Sequence, residues 1–150
     1  MSFLEQLQIR LAIEDLNARF TRCLDHNRVA ELVELFVEDA LYTHGTRVSR
    51  GRAAIEQLLR ARGAGVRTAR HLYSGLVVDI EDAHHARGSC VCMTFAFDGP
   101  PPVRGTVPHL VADFEDRYVL GVDSHWRFAE RHIHRIFEAP DNPGPVGAQR

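Results

Sequence analysis

Two side chains in this chain could do chemistry together. Asp25 closes a long run of helical periodicity, and His71 stands just before an apolar, strand-like run, Leu72–Ile80. An acid is disfavoured at a helix C-terminus, where the macrodipole already places negative charge, so Asp25 calls for a compensating partner. If the intervening segments fold back over a sheet, the two meet in apolar surroundings. A carboxylate on Nδ1 fixes the imidazole tautomer and leaves Nε2 free to accept a proton, which makes a general base. Tyr42 and His44 lie two apart, on one face of a short strand. The Tyr42 hydroxyl has the chemistry to orient or protonate a leaving group, with core packing as the alternative, and His44 reads as pocket lining or surface. Arg131 would share a strand face with Ala129 and Ile133. A charge there either makes a structural ion pair or steadies negative charge developing on a substrate.

The elements that must position these residues read as helices first and strands afterwards. Ser2-Phe3-Leu4-Glu5 is a capping box. Behind it Leu4, Leu7, Leu11, Leu16, Phe20, Cys23 and Leu24 recur at helical spacing, which predicts one helix over 3–25. Asn27 is placed to cap a second helix over 28–38, with Val29, Leu32, Val33 and Phe36 on its apolar face. A short strand over 40–44 follows, then a third helix over 52–62 opened by Gly51 and ending near Gly63. From there the period becomes strand-like, over 67–81, 86–97, 106–120 and 124–138. This order is an α+β pattern, with three N-terminal helices packed on a curved, mostly antiparallel sheet. Residues 1–138 form one domain, and 139–150, with three Pro and two Gly, an irregular tail.

Composition removes several function classes. A formal net charge of −2 over 150 residues argues against a nucleic-acid partner, because phosphate binding needs a basic excess. No run approaches the roughly 18 apolar residues of a membrane span. All basic residues are Arg, so chemistry through a lysine Schiff base is out. Cys23, Cys90 and Cys92 lack a framework spacing and read as buried thiols of a reducing compartment, hence a cytoplasmic protein. His132 and His134, with His125 nearby, are weak evidence for zinc, which wants three or four convergent ligands; neither a metal nor a cofactor is expected. Arg60, Arg62, Arg67 and Arg70 are the densest basic stretch and read as a solvated rim.

Local sequence then sharpens the picture. Ile13-Glu14-Asp15-Leu16-Asn17-Ala18-Arg19-Phe20 with Leu24-Asp25 resembles the opening helix of the SnoaL-like branch of the nuclear transport factor 2-like (NTF2-like) superfamily. Leu35-Phe36-Val37-Glu38-Asp39-Ala40, Gly51-Arg52-Ala53-Ala54-Ile55, Arg70-His71-Leu72 and Trp126-Arg127-Phe128-Ala129-Glu130-Arg131 fit the same branch. The resemblance runs from about residue 5 to 137 and implies a cone-shaped fold. The branch includes cofactor-free eliminating enzymes, among them scytalone dehydratase, bile-acid 7α-dehydratase and hexachlorocyclohexane dehydrochlorinase, described as using an Asp–His pair. By that resemblance Asp25 matches the acid ending the first helix and His71 the strand histidine that takes the proton. Tyr42 matches an aromatic side chain near the leaving group, and Arg131 a positive position of some members. Two positions depart from the dehydratases. Phe20 stands where they often carry Tyr, and strand 86–97 lacks their second histidine, for which His109 on the next strand is the substitute.

Together these readings lead to a lyase that eliminates water or another leaving group from a small, cyclic, hydrophobic substrate. Phe20, Leu24, His44, Leu72 and His109 would line its pocket. The alternatives are an isomerase in the style of ketosteroid isomerase, a non-catalytic binding module, and a ring-hydroxylating dioxygenase β subunit, which would lack an Asp–His pair in the pocket. Val107, Val111, Val119 and Phe137 suggest an apolar outer sheet face, and so a homo-oligomer, dimer or trimer.

Overall fold

Ser2 and Glu5 cap the first helix reciprocally: the Glu5 N–H donates to the Ser2 hydroxyl at 3.3 Å and the Ser2 N–H to the Glu5 carboxylate at 2.6 Å. The computed structural model describes residues 1–105 and 107–140. Helix α1 (Phe3–Asp25) is followed by α2 (Val29–Val33), strands β1 (Phe36–His44) and β2 (Arg47–Arg50), and helix α3 (Arg52–Arg62). Four long strands complete the chain: β3 (Arg67–Ile80), β4 (His85–Asp98), β5 (Leu110–Leu120) and β6 (Trp126–Glu138). They form one sheet in the order β2-β1-β6-β5-β4-β3, antiparallel throughout except for the parallel pair β1–β6. No helix among the described residues is long and apolar enough to cross a membrane. The expected tail falls almost wholly outside the described residues.

Four local expectations change. The buried stripe of α1 is Ile9, Ile13, Leu16, Phe20 and Leu24, whereas Leu4, Leu7 and Leu11 are exposed. Both sets repeat at helical spacing, but only the first stays in phase with Phe20 and Leu24 along the full helix. The second helix ends at Val33 rather than 38, because Phe36 enters the sheet opposite Phe128 and its ring packs on Phe20 and Phe128 at 6.1 and 5.2 Å. Tertiary packing here overrides a helical pattern of only two turns. Asn27 does not cap that helix. It takes a left-handed φ of 53° and donates its amide to the Gly63 carbonyl, tying the end of α1 to the end of α3. Strand β2 is absent from the sequence reading; its hairpin turns on Gly45 at φ 59°.

Curvature comes from bulges. In β3 the pairing shifts between Ser74 and Val77, with Gly75 at φ 67° supplying the turn that L side chains resist. A second irregularity puts Phe128 and Glu130 opposite Tyr118 and Arg117, leaving Ala129 as the extra residue. Arg131 therefore shares its face with Phe128, not Ala129, and its guanidinium lies 4.0 Å from the Phe128 ring. The helices cover the concave face. On the opposite face Leu72, Met93, Val111 and Phe137 stand in register across β3, β4, β5 and β6 as an apolar row, with Leu72 and Phe137 well exposed. Cys23, Cys90 and Cys92 are buried free thiols.

Arg131 is wholly buried in the concave interior. Its Nε and one Nη donate to the two Asp116 oxygens at 2.8 and 2.7 Å, and the same Nη donates to Asn17 Oδ1. The Phe20, Phe114 and Phe128 rings enclose the cation. Tyr118 donates its hydroxyl to Asp116 at 2.8 Å and accepts from the Asn17 amide at 3.1 Å, so the network is closed. Removing one partner of such a pair leaves an uncompensated buried charge. Asp116→Ala is therefore expected to cost about 3–5 kcal/mol in urea unfolding, whereas the double change Arg131→Met with Asp116→Leu should cost clearly less.

Candidate active site

The C-terminal residue of α1 and the fifth residue of β3 meet as the sequence pattern suggests. The His71 ring donates from Nδ1 to Asp25 Oδ1 at 2.6 Å, and the His71 backbone N–H donates to Asp25 Oδ2 at 3.1 Å. An ionised carboxylate only accepts, so the ring proton sits on Nδ1 and Nε2 carries a free lone pair. Nε2 has no protein partner among the described residues, and both side chains are 8% exposed. Burial pushes the His71 pKa below the ordinary 6.5, opposed by the Asp25 hydrogen bond, while the Arg62 and Arg67 charges add to the lowering. The imidazole is thus held neutral at pH 7.

The ring faces a cavity of about 70 Å³. Phe20, Leu24, His44 and His109, expected to line the pocket, do so, and Tyr42 lines it with them. Tyr42 is buried, its hydroxyl has no partner among the described residues, and burial raises its pKa, so it stays a proton donor. Leu72 does not line the cavity. Strand alternation points it to the opposite face from His71, where it is 55% exposed. Arg131 does not line it either: its charge is neutralised by Asp116 and sits behind the Phe20 ring, 4.2 Å from the centroid. On β4 the residue paired with His71 is Thr94, which is buried and lines the cavity. His109 docks beside it through a backbone bond to the Thr94 carbonyl at 2.7 Å.

His132 and His134 lie elsewhere. His132 bonds Thr43 and Glu130 at 2.9 and 3.0 Å, and His134 faces Glu115. Among the described residues no three His, Cys, Asp or Glu side chains gather in a way that could hold a metal ion.

The family model of the SnoaL-like domain matches residues 5–132. The chain belongs to the SnoaL-like family. Solved structures share the fold of this SnoaL-like chain over nearly its whole length. A Novosphingobium aromaticivorans protein described provisionally as a scytalone dehydratase has a TM-score of 0.81 and 23% identity, covering 99% of this chain and 100% of its own. LinA has a TM-score of 0.75 and 22% identity over 91% and 92%. ActVI-ORFA from Streptomyces coelicolor has 0.73 and 16% over 85% and 97%. At these identities the likeness establishes the fold. No curated protein matches the chain.

The basic residues of the SnoaL-like pocket escaped the sequence reading. Arg60 pairs with Glu56 on the surface and Arg70 is exposed, as a solvated rim requires, but Arg62 and Arg67 line the cavity with Arg47 and Arg135. Their spacing carried the signal. Arg67 is four before His71 on one strand, hence on its face, and Arg62 follows Leu58 and Leu59 by one helical turn.

His44 is held neutral by burial and by the Arg135, Arg47 and Arg62 charges, with its pKa pushed down to about 4. In the unfolded chain the group returns to about 6.5, so below that pH the unfolded state takes up the proton first. Stability is intact above pH 6.5 and is lost progressively as the pH falls toward 4, by at most about 3 kcal/mol. In urea midpoints measured across that range, His44→Phe should decline less steeply than the parent. Parallel declines would contradict the assignment.

Proposed function

We propose that this protein is a cofactor-independent lyase that eliminates water or another leaving group from a small, cyclic, mostly apolar molecule. The observation that carries this reading is the double grip of Asp25 on His71, which aims an unprotonated Nε2 into an apolar-walled cavity. Nε2 removes a proton from carbon, the electron pair of that C–H bond becomes the new double bond, and the leaving group departs with its bonding pair. The partnerless Tyr42 hydroxyl hydrogen-bonds to the departing oxygen. The imidazolium then returns the proton to it, and water leaves with the base restored. Asp25 steadies the imidazolium between these events. Membership of the SnoaL-like family supports this reading, as does the name of the Novosphingobium protein. A dioxygenase β subunit gives no reason for such a pairing in its pocket. The same base would serve an isomerase, in which the proton returns to carbon and no group is lost.

On a panel of cyclic β-hydroxy ketones, His71→Ala and Asp25→Asn should each lower kcat/KM by about 100-fold or more. Because the folded His71 titrates below 6.5, the parent's kcat/KM should be level near neutrality and fall on acidification through a pKa under that value. Both variants turning over like the parent would sink the assignment, and product analysis separates elimination from isomerisation.

A further inference from the structure

The cavity wall has an electrostatic bias that base chemistry alone does not require. Among the described residues its polar lining includes four arginines, Arg47, Arg62, Arg67 and Arg135, and no acid, in a chain whose formal net charge is −2. Arg67 and Arg135 are partly neutralised by Asp98 and Glu138 at 2.6 and 2.8 Å. Arg62 has no carboxylate partner among the described residues. It donates from Nη1 to the Leu24 carbonyl at 3.3 Å, which anchors it at the end of α1 beside the dyad.

A second observation is independent of charge. Native structures leave few buried polar atoms without a hydrogen bond. Four such side-chain atoms occur among the described residues, and three belong to this one pocket: His44 Nε2, Arg67 Nε and Arg135 Nε. The two arginine atoms are N–H donors that can only be satisfied by an acceptor. Water could serve one of them, but two orphan donors around one cavity, beside the unpartnered His44 Nε2, fit a ligand that brings acceptor oxygens. The remaining wall, with Phe20, Leu24, Leu58, Leu110 and Phe114, suits an apolar ring.

We infer that the substrate is an apolar ring bearing a carboxylate, held by Arg62 with Arg67 and Arg135 while the ring lies against Phe20 and Leu24. A single negative charge fits better than a phosphate dianion, because two of the guanidinium groups already share their charge with acids. A planar carboxylate also matches the forked donors of a guanidinium. The inference rests on the reading of this cavity as the substrate site, and it supplies the substrate class which that reading lacks. An anion here would also favour the imidazolium that forms at His71, since it offsets the two arginine charges that disfavour it.

The test is binding rather than turnover. The parent protein is titrated calorimetrically at low salt with 2-naphthoate, with its neutral isostere 2-naphthamide, and with 1-naphthyl phosphate. Naphthoate should bind about tenfold or more tighter than the amide, and tighter than the phosphate. Arg62→Met should bring the naphthoate-to-amide ratio within about twofold, and Arg135→Met, on the cavity face of β6, should lower it as well. Circular dichroism identifies any variant that fails to fold, and the other variant then decides. Equal affinity for naphthoate and amide, tighter binding of the phosphate, no binding of any probe, or a preference that survives both substitutions would each overturn the inference. If the preference holds while His71→Ala and the parent turn over alike, the elimination reading fails and the anion site stands.

Discussion

One carboxylate joins the helical layer to the sheet at the point where the pocket forms. Asp25 uses one oxygen for the imidazole of His71 and the other for the backbone N–H of the same residue. The first contact sets the ring; the second sets β3 in register against the end of α1. Two contacts from one residue leave the ring little freedom to rotate or to withdraw. The same helix end is met from a third direction, since Arg62 at the close of α3 donates to the Leu24 carbonyl. Helix C-termini leave carbonyls without internal partners, and here a guanidinium supplies one. The local cost of an acid at that terminus is offset by the donors gathered around it.

The molecule handles its arginines in two opposite ways. Arg131 is deep, flanked by three aromatic rings and matched by both oxygens of Asp116, so its charge is spent internally. It stiffens the floor on which Phe20 rests. The pocket arginines are shallower and only partly matched, so their field reaches the cavity and helps to hold His44 and His71 unprotonated. A buried, fully paired cation serves architecture, and a half-paired one at a cavity wall acts on whatever enters.

Much of this was legible from the residues. The capping box, the run ending at Asp25, the third helix and the four long strands follow from short-range signals, and the aspartate–histidine meeting followed from element order. What escaped depended on contacts the pattern does not contain. Phe36 repeats with Leu32 and Val33 like a helical residue, yet it belongs to a strand because Phe128 is there to receive it. Arg131 was placed on a face with Ala129, and an extra residue in β6 moved it to the face of Phe128. Nearness in sequence to His71 does not bring Leu72 to the pocket, because adjacent strand residues point apart. Arg62 and Arg67 do not stand out in composition, where they belong to one dense basic stretch; only phase along the helix and the strand singles them out.

The parallel pairing of β1 with β6 bears on how the molecule is assembled. Thr43 of β1 bonds His132 of β6 across a separation of 89 residues. Tyr42 and His44 sit on β1, whereas Asp25 and His71 are joined by segments made much earlier than β6. During synthesis the Asp25–His71 pair can therefore be in place while the opposite wall still lacks its neighbour strand. Closing so long a loop is entropically expensive and slows folding. The ribosome must pass β6 before the cavity has two sides, so a nascent fragment ending short of Trp126 would hold the Asp25–His71 pair in an open trough.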